Sequence, residues 1–180
     1  MAETPVYPIK WITPVIATGY APTSHDDLDE IRRQGISAIV NMCAECYDLA
    51  DIEAQAGFDV YRLFVHDMEA PDAEALDRAI AWFEDHLTAG HLGLIHCRYG
   101  LGRTGTFALA YLIHTGDSLQ SAMAKIKATP AMPQTRLQWD LIEQFAKARN
   151  HRMVSPLPKV EENGIHLFFK RQMDRLKWFR

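Results

Sequence analysis

Apolar residues recur along this chain with two alternating periods. Apolar-rich runs of strand length lie at 36–42, 58–65 and 92–96. The segment 6–21 is also apolar but is broken by Pro14, which predicts short strands at a sheet edge. Between the runs the period approaches that of a helix. The predicted helices are 26–34, 49–56, one starting after the cap residue Asp72, 106–115, 118–128 and 137–150.

Strands that alternate with helices predict an α/β fold. We expect one domain over 1–150, with a central, mostly parallel, twisted sheet flanked by helices. Active sites in such sheets lie at the carboxyl ends of the strands. A linker is predicted at 151–164 and a basic amphipathic helix at 165–180.

Composition is that of an ordinary globular protein. The 180 residues are 48% hydrophobic and 23% charged, with a net charge of −4, which favours no nucleic-acid partner. No apolar run approaches the roughly 20 residues of a membrane span. The odd count of three cysteines argues against a disulfide framework. With no leader pattern in the first 25 residues, we expect a cytoplasmic location.

The predicted helix 165–180 is electrostatically distinct from the rest of the chain. It carries five basic residues against Asp174 alone. Its apolar face favours docking onto the domain or onto a second subunit. Peripheral contact with an anionic membrane is the less favoured alternative.

The segment from His96 to Gly105, HCRYGLGRTG, carries the chemistry. It follows a predicted strand, precedes a predicted helix and contains three glycines. In such a loop successive backbone amides converge on an anion. Because those amides and Arg103 favour negative charge, we expect Cys97 to be a thiolate at neutral pH.

These residues resemble the signature loop of the cysteine-dependent protein tyrosine phosphatase superfamily, and the 100–103 core resembles its dual-specificity branch. The resemblance extends in order and spacing over about 6–150. It implies phosphate-ester hydrolysis without metal or cofactor, with Cys97 as nucleophile in a cysteinyl-phosphate intermediate. It also implies that Thr104 hydrogen-bonds the sulfur and His96 orients the loop. The phosphate would be bound by Arg98, Tyr99, Gly100, Leu101, Gly102 and Arg103.

The planar guanidinium of Arg103 would donate two parallel hydrogen bonds to two phosphate oxygens. The ammonium group of a lysine cannot form this bidentate pair. A proton donor for the leaving oxygen must come from another loop. In the dual-specificity enzymes it is an aspartate about thirty residues before the cysteine. Asp67 holds that position here, directly after a predicted strand, with Glu69 and Asp72 as alternatives in the same loop.

Residues 133–139 resemble the glutamine loop of the tyrosine-specific phosphatases. The resemblance makes Gln134 the candidate for positioning the water that attacks the phosphocysteine. An ordinary helix start, with Thr135 as cap and Gln138 three residues later, explains the segment equally well.

Cys43 and Cys46 allow several interpretations. A zinc site lacks a second pair of ligands, and a thioredoxin-like motif lacks its strand-to-helix context. The segment 41–45 resembles one in a phosphoinositide phosphatase of the same superfamily, which implies that Cys43 can form a reversible disulfide with Cys97. A buried core cysteine remains the alternative.

We therefore expect a phosphatase acting on phosphorylated proteins or peptides, at phosphotyrosine and also at phosphoserine and phosphothreonine. No aromatic recognition loop is evident before residue 67, which favours a shallow pocket. A phosphoinositide is the alternative substrate, suggested by Arg98, Cys43 and the basic tail. A non-catalytic phospho-binding module and a sulfurtransferase are the alternatives from other classes, and Asp67 argues against both.

Overall fold

The computed structural model describes residues 7–149. The predicted linker 151–164 and helix 165–180 lie outside the described residues. A five-stranded sheet with strand order β1-β2-β5-β3-β4 forms the centre, and β1 alone runs antiparallel. The strands are β1 (Lys10–Trp11), β2 (Ile16–Tyr20), β3 (Ile36–Cys43), β4 (Asp59–Val65) and β5 (Leu92–Cys97). The helices are α1 (His25–Arg33), α2 (Leu49–Gln55), α3 (Ala73–Thr88), α4 (Gly102–His114), α5 (Leu119–Ile126) and α6 (Arg136–Ala148).

The predicted α/β class is confirmed, and one strand assignment is wrong. The segment 6–21 was expected to supply edge strands only, but β2 lies inside the sheet, paired in parallel with β5. Only the two-residue β1 occupies this edge. Ile16 and Ala17 of β2 are buried, as expected for a strand with neighbours on both sides.

Helix starts follow local capping chemistry. The Asp72 carboxylate accepts a hydrogen bond from Ala75 N at the start of α3, and Ser118 does the same for Ser121 N at the start of α5. Such caps satisfy backbone donors that the first helical turn leaves free. The predicted cap at Asp72 is therefore confirmed.

Helix α4 is buried along almost its whole length, since Gly102 to Ile113 are all buried. It packs against α5 and α6 and carries much of the main core on this face of the sheet. A second cluster covers the opposite face beneath α1. The sequence predicted this helix from residue 106, four residues late, because its first turn contains glycine, arginine and threonine and breaks the apolar period. Within residues 7–149, every helix is too short or too polar to cross a bilayer.

Close backbone contact fixes the position of α4. A Cβ added at Gly105 would lie 2.4 Å from Met132 N and 2.7 Å from Ala131 C, which are backbone atoms that cannot turn aside. The segment before α6 therefore rests directly on the first turn of α4.

We predict that Gly105→Ala destabilises the fold by about 1–3 kcal/mol, because the overpacking outweighs the gain in helix propensity. Thermal and urea denaturation would measure the change. Gly90→Asn is the matched control: Gly90 has φ +94° with open space around it, and asparagine tolerates that conformation. If Gly105→Ala unfolded with the same free energy as Gly90→Asn, close backbone packing at Gly105 would be contradicted.

Candidate active site

The loop predicted to bind an anion connects the end of β5 to the start of α4. Cys97 is the last residue of β5 and is buried, with 2% of its surface exposed. Gly100 has φ +68°, and a Cβ there would lie 2.4 Å from the carbonyl oxygen of Gly19 in β2. Ala21 N donates a 3.3 Å hydrogen bond to Arg98 O. The loop thus packs directly against the end of the interior strand β2 and the residue that follows it.

Arg103 is the largest fully buried side chain in the described part of the chain, with 1% exposure. Its Nη1 donates to the carbonyl oxygens of Met42 (3.2 Å) and Val65 (2.8 Å). Glu45 accepts from both terminal nitrogens, at 2.8 and 2.7 Å, and Asp67 Oδ1 accepts from Nη2 at 2.9 Å. Burial alone would lower the pKa of Arg103, but the bonds to Glu45 and the nearby Cys97 and Asp67 raise it above the ordinary value. The guanidinium joins the ends of β3 and β4 to the loops that follow them.

Glu45 is a site residue that the sequence analysis did not assign. Although burial raises the pKa of its carboxyl, the hydrogen bond from Arg103 outweighs that effect and the pKa is lowered. Its position two residues after β3 was a signal, because strand ends of a parallel sheet converge on the site. Nothing local in the sequence pairs it with an arginine 58 residues later.

Asp67 reaches Arg103 from a turn just after β4. Glu69 N bonds His66 O at 3.1 Å, and Met68 between them has φ +66°, an uncommon conformation for methionine. The Asp67 side chain contacts Arg103 and is 46% exposed, so part of it remains open to solvent. The alternative Asp72 is occupied as the α3 cap.

Gln134 and Gln138 lie beside the loop near Gly102, away from its contact with β2. A Cβ at Gly102 would lie 2.8 Å from Gln138 Oε1 and 3.1 Å from Gln134 Oε1. Thr135 and Gln138 form the capping box of α6, so the ordinary helix start is also present. Gln138 Nε2 additionally donates to Glu69 O at 2.9 Å, which ties the Asp67 turn to α6.

The remaining predicted site residues are buried around the loop. His96 is fully buried, and its Nε2 lies 2.8 Å from Oε1 of the equally buried Glu53. Thr104 Oγ1 is buried with no hydrogen-bond partner among the described residues, so the expected bond to the Cys97 sulfur is not made.

Cys43 and Cys97 are both free and buried, and the predicted disulfide between them stays a prediction. Burial and a contact with Cys46 raise the pKa of Cys43 above its usual value. Among residues 7–149, no group of three or more histidine, cysteine or acidic residues is arranged to hold a metal ion.

Comparison with known proteins places this geometry among phosphatases. A family model described as "Tc-R-P: Polymorphic toxin system, DSP-PTPase phosphatase" matches residues 17–117. The chain is 28% identical over 121 residues to dual specificity protein phosphatase 12 of Homo sapiens, covering 63% of this chain and 34% of that protein. It is 34% identical over 85 residues to tyrosine-protein phosphatase cdc-14 of Caenorhabditis elegans, covering 47% and 11%. The chain thus spans about a third or less of the length of these relatives.

Solved structures agree on the fold. The structure of Tk-PTP in its active form superposes with a TM-score of 0.70 at 30% identity, over 77% of this chain and 96% of that one. PTPMT1 in complex with PI(5)P superposes with a TM-score of 0.69 at 18% identity, over 79% and 96%, which shows the shared fold alone.

The ion pair between Glu45 and Arg103 predicts a pH-dependent contribution to stability. Because the pKa of Glu45 is lowered on folding, the pair stabilises the native state fully above the unfolded value of about 4.3. The contribution is lost as the pH falls through the lower folded value. Glu45→Gln should therefore unfold at a lower temperature than wild type near neutral pH, with a gap that narrows in acid.

Thermal unfolding followed by circular dichroism across this pH range measures that gap. Asp51→Asn is the matched control, because Asp51 pairs with Arg62 at an exposed site where ion pairs contribute little. A gap for Glu45→Gln that stays constant from neutral to acid pH would rule out the ion pair as its cause.

Proposed function

Since the chain belongs to the dual-specificity branch of the cysteine-dependent protein tyrosine phosphatase superfamily, we propose that it hydrolyses phosphate monoesters on phosphorylated proteins through a cysteinyl-phosphate intermediate. One observation carries the proposal: the buried Arg103 contacts Asp67 directly while lying six residues after Cys97 in the loop. In this proposal Cys97 is the nucleophile, Arg103 is the cation that binds the phosphate oxygens and Asp67 is the acid.

The first step is attack of the Cys97 thiolate on phosphorus. The sulfur–phosphorus bond forms as the bond to the leaving oxygen breaks, and Asp67 gives that oxygen its proton. In this structure Asp67 Oδ1 accepts a hydrogen bond from Arg103 Nη2. A phosphate oxygen that takes over Nη2 releases the Asp67 carboxylate, which takes up a proton from solvent before it serves as the acid.

The second step is hydrolysis of the cysteinyl phosphate. Water attacks phosphorus, Asp67 takes its proton, and the sulfur–phosphorus bond breaks to return the thiolate. Gln134 lies beside the loop, where it would position this water. The unpartnered Thr104 hydroxyl is available to donate a hydrogen bond to the departing sulfur. A reducing compartment, such as the cytoplasm, keeps Cys97 competent for this cycle.

A phosphoinositide is a second candidate substrate, favoured by one observation. Arg98 places an exposed cation inside the phosphate loop, where it lies against Tyr99 with a 3.2 Å bond from Nε to the phenol oxygen. A head group with several phosphates would engage it. Without further basic side chains in the loop segment 98–102, the phosphoprotein remains the preferred substrate.

We predict that Cys97→Ser abolishes turnover of an aryl phosphate and of phosphotyrosine and phosphothreonine peptides, in buffer containing EDTA. Asp67→Asn should lower kcat on the peptides by about 10²–10⁴, the contribution of a positioned acid. Phosphate release and single-turnover trapping of the phosphoenzyme measure the two effects.

Asp72→Asn is the control for Asp67→Asn, because asparagine preserves the helix cap and the loop keeps its length. Its activity should equal that of wild type. A wild type inactive on every substrate would overturn the proposal in favour of a phospho-binding module. Full activity in Cys97→Ser would exclude the cysteinyl-phosphate mechanism.

The effect of replacing Arg98 distinguishes a phosphoprotein substrate from a phosphoinositide substrate. For a phosphoprotein phosphatase, Arg98→Ala should change kcat/KM on phosphopeptides by less than about fivefold, since exposed ion pairs contribute roughly 0–1 kcal/mol. Arg78→Ala, a change to an exposed arginine of α3, is the matched control. Wild-type preference for phosphoinositides in vesicles, lost by more than tenfold in Arg98→Ala alone, would favour the lipid substrate.

A further inference from the structure

The side chain of Gln138 joins three segments of the site, and the catalytic steps above give it no role. It is buried, with 1% of its surface exposed. Its Oε1 accepts a 2.8 Å hydrogen bond from Gln134 N, and its Nε2 donates a 2.9 Å hydrogen bond to Glu69 O. A Cβ at Gly102 of the phosphate loop would lie 2.8 Å from the same Oε1. Gln138 therefore lies where the phosphate loop, the start of α6 and the turn that carries Asp67 meet.

The polarity of these contacts fixes the orientation of the Gln138 amide. The start of α6 presents backbone N–H donors, at Gln134 and, 3.4 Å away, at Thr135. The turn presents the carbonyl oxygen of Glu69. A flipped amide would direct its N–H groups at donors and its oxygen at an acceptor, with no access to water because the side chain is buried. One end of the amide thus belongs to the helix cap, and the other end holds the turn.

The turn that carries Asp67 needs support from outside itself. Met68 within it has φ +66°, a left-handed conformation that a non-glycine residue keeps only where the surroundings enforce it. Within the described part of the chain, two hydrogen bonds connect this turn with other segments. The first joins Asp67 Oδ1 to Arg103 Nη2, and in the proposed mechanism an arriving phosphate oxygen takes it over. The second joins Glu69 O to Gln138 Nε2 and involves no group that phosphate displaces.

We propose that Gln138 is a positioning residue for the general acid: its amide holds the turn of Asp67 in place during phosphoenzyme formation, once the bond between Asp67 and Arg103 is given up. This inference rests on the proposed function and adds a residue to its first step. Gln138 acts through the backbone of Glu69 rather than on a reacting atom. The resemblance of 133–139 to a glutamine loop implies instead a role in the second step, the attack of water.

The two roles predict different kinetics. The ratio kcat/KM covers the steps through formation of the phosphoenzyme, so the later attack of water does not affect it. A misplaced acid slows the hydrolysis of a phosphotyrosine peptide, because the leaving oxygen of tyrosine is basic and departs with a proton. It has much less effect on dinitrophenyl phosphate, whose leaving phenolate is stable without a proton. Loss of acid positioning therefore shows as a preference for the ester with the better leaving group.

Two substitutions of Gln138 share the loss of the bond to Glu69 O. Gln138→Glu keeps an acceptor for the start of α6, since glutamate serves in the same capping box, but it adds a charge. Gln138→Met adds no charge but loses the cap. In both variants we expect the kcat/KM for dinitrophenyl phosphate, divided by that for the phosphotyrosine peptide, to rise about tenfold, which is part of the roughly 10²–10⁴ contributed by a positioned acid. Effects of the charge or the cap on phosphate binding cancel in this quotient.

In the Asp67→Asn background, neither substitution of Gln138 should change the quotient further, because no acid remains to be positioned. Gln144→Glu, at an exposed position of the same helix, is the matched control and should behave as wild type. A wild-type quotient in either Gln138 variant would overturn the proposal. A loss confined to kcat and equal for all esters would also overturn it, because Gln138 would then act in the second step.

A second measurement does not require turnover. The Glu69 amide donates to His66 O within the turn. Its hydrogen exchange, followed by NMR in the presence of inorganic phosphate, should be several-fold faster in Gln138→Glu than in wild type. The amide of Ala75, held by the α3 cap, should exchange at the wild-type rate. Unchanged exchange at Glu69 would overturn the proposal, whereas failure of the proposed function appears as a wild type that hydrolyses no phosphate ester.

Discussion

The site depends on one buried cation. Arg103 has almost no exposed surface, and a guanidinium in that position requires acceptors on every side. The backbone supplies two of them, at the ends of β3 and β4, and the following loops supply the carboxylates of Glu45 and Asp67. The guanidinium that would bind phosphate therefore also holds two strand ends together, because its Nη1 donates to both carbonyls. Under the proposed function, catalysis and local folding would both depend on the Arg103 side chain.

The loop around that cation is held by close backbone approach rather than by many side-chain bonds. Gly100 rests on the Gly19 carbonyl, Gly102 faces the amides of Gln134 and Gln138, and Gly105 lies against the backbone before α6. Absence of a Cβ at these positions lets β2 and α6 approach from both sides. Backbone amides held in place by such contacts would need little reorganisation to bind an anion.

The sequence predicted those features that depend on neighbours along the chain. The strand and helix order, the Asp72 cap and the place of Cys97 at a strand end all follow from period, capping and loop composition. It did not predict the partners of Glu45 and Glu53, because a lone acidic residue in a short polar segment has no local signature of burial. The interior place of β2 was likewise set by distant pairing with β5.

The balance of charge at Arg103 decides how the acid becomes available. The guanidinium is shared by two carboxylates and two carbonyls, so a phosphate oxygen that binds as proposed would displace one of them. Glu45 binds through both oxygens and is 28% exposed, whereas Asp67 binds through one and is 46% exposed. A bidentate, less solvated pair is the harder to break. In the proposed mechanism Asp67 is therefore the group that an arriving phosphate would release, and after taking up a proton it would serve the leaving oxygen.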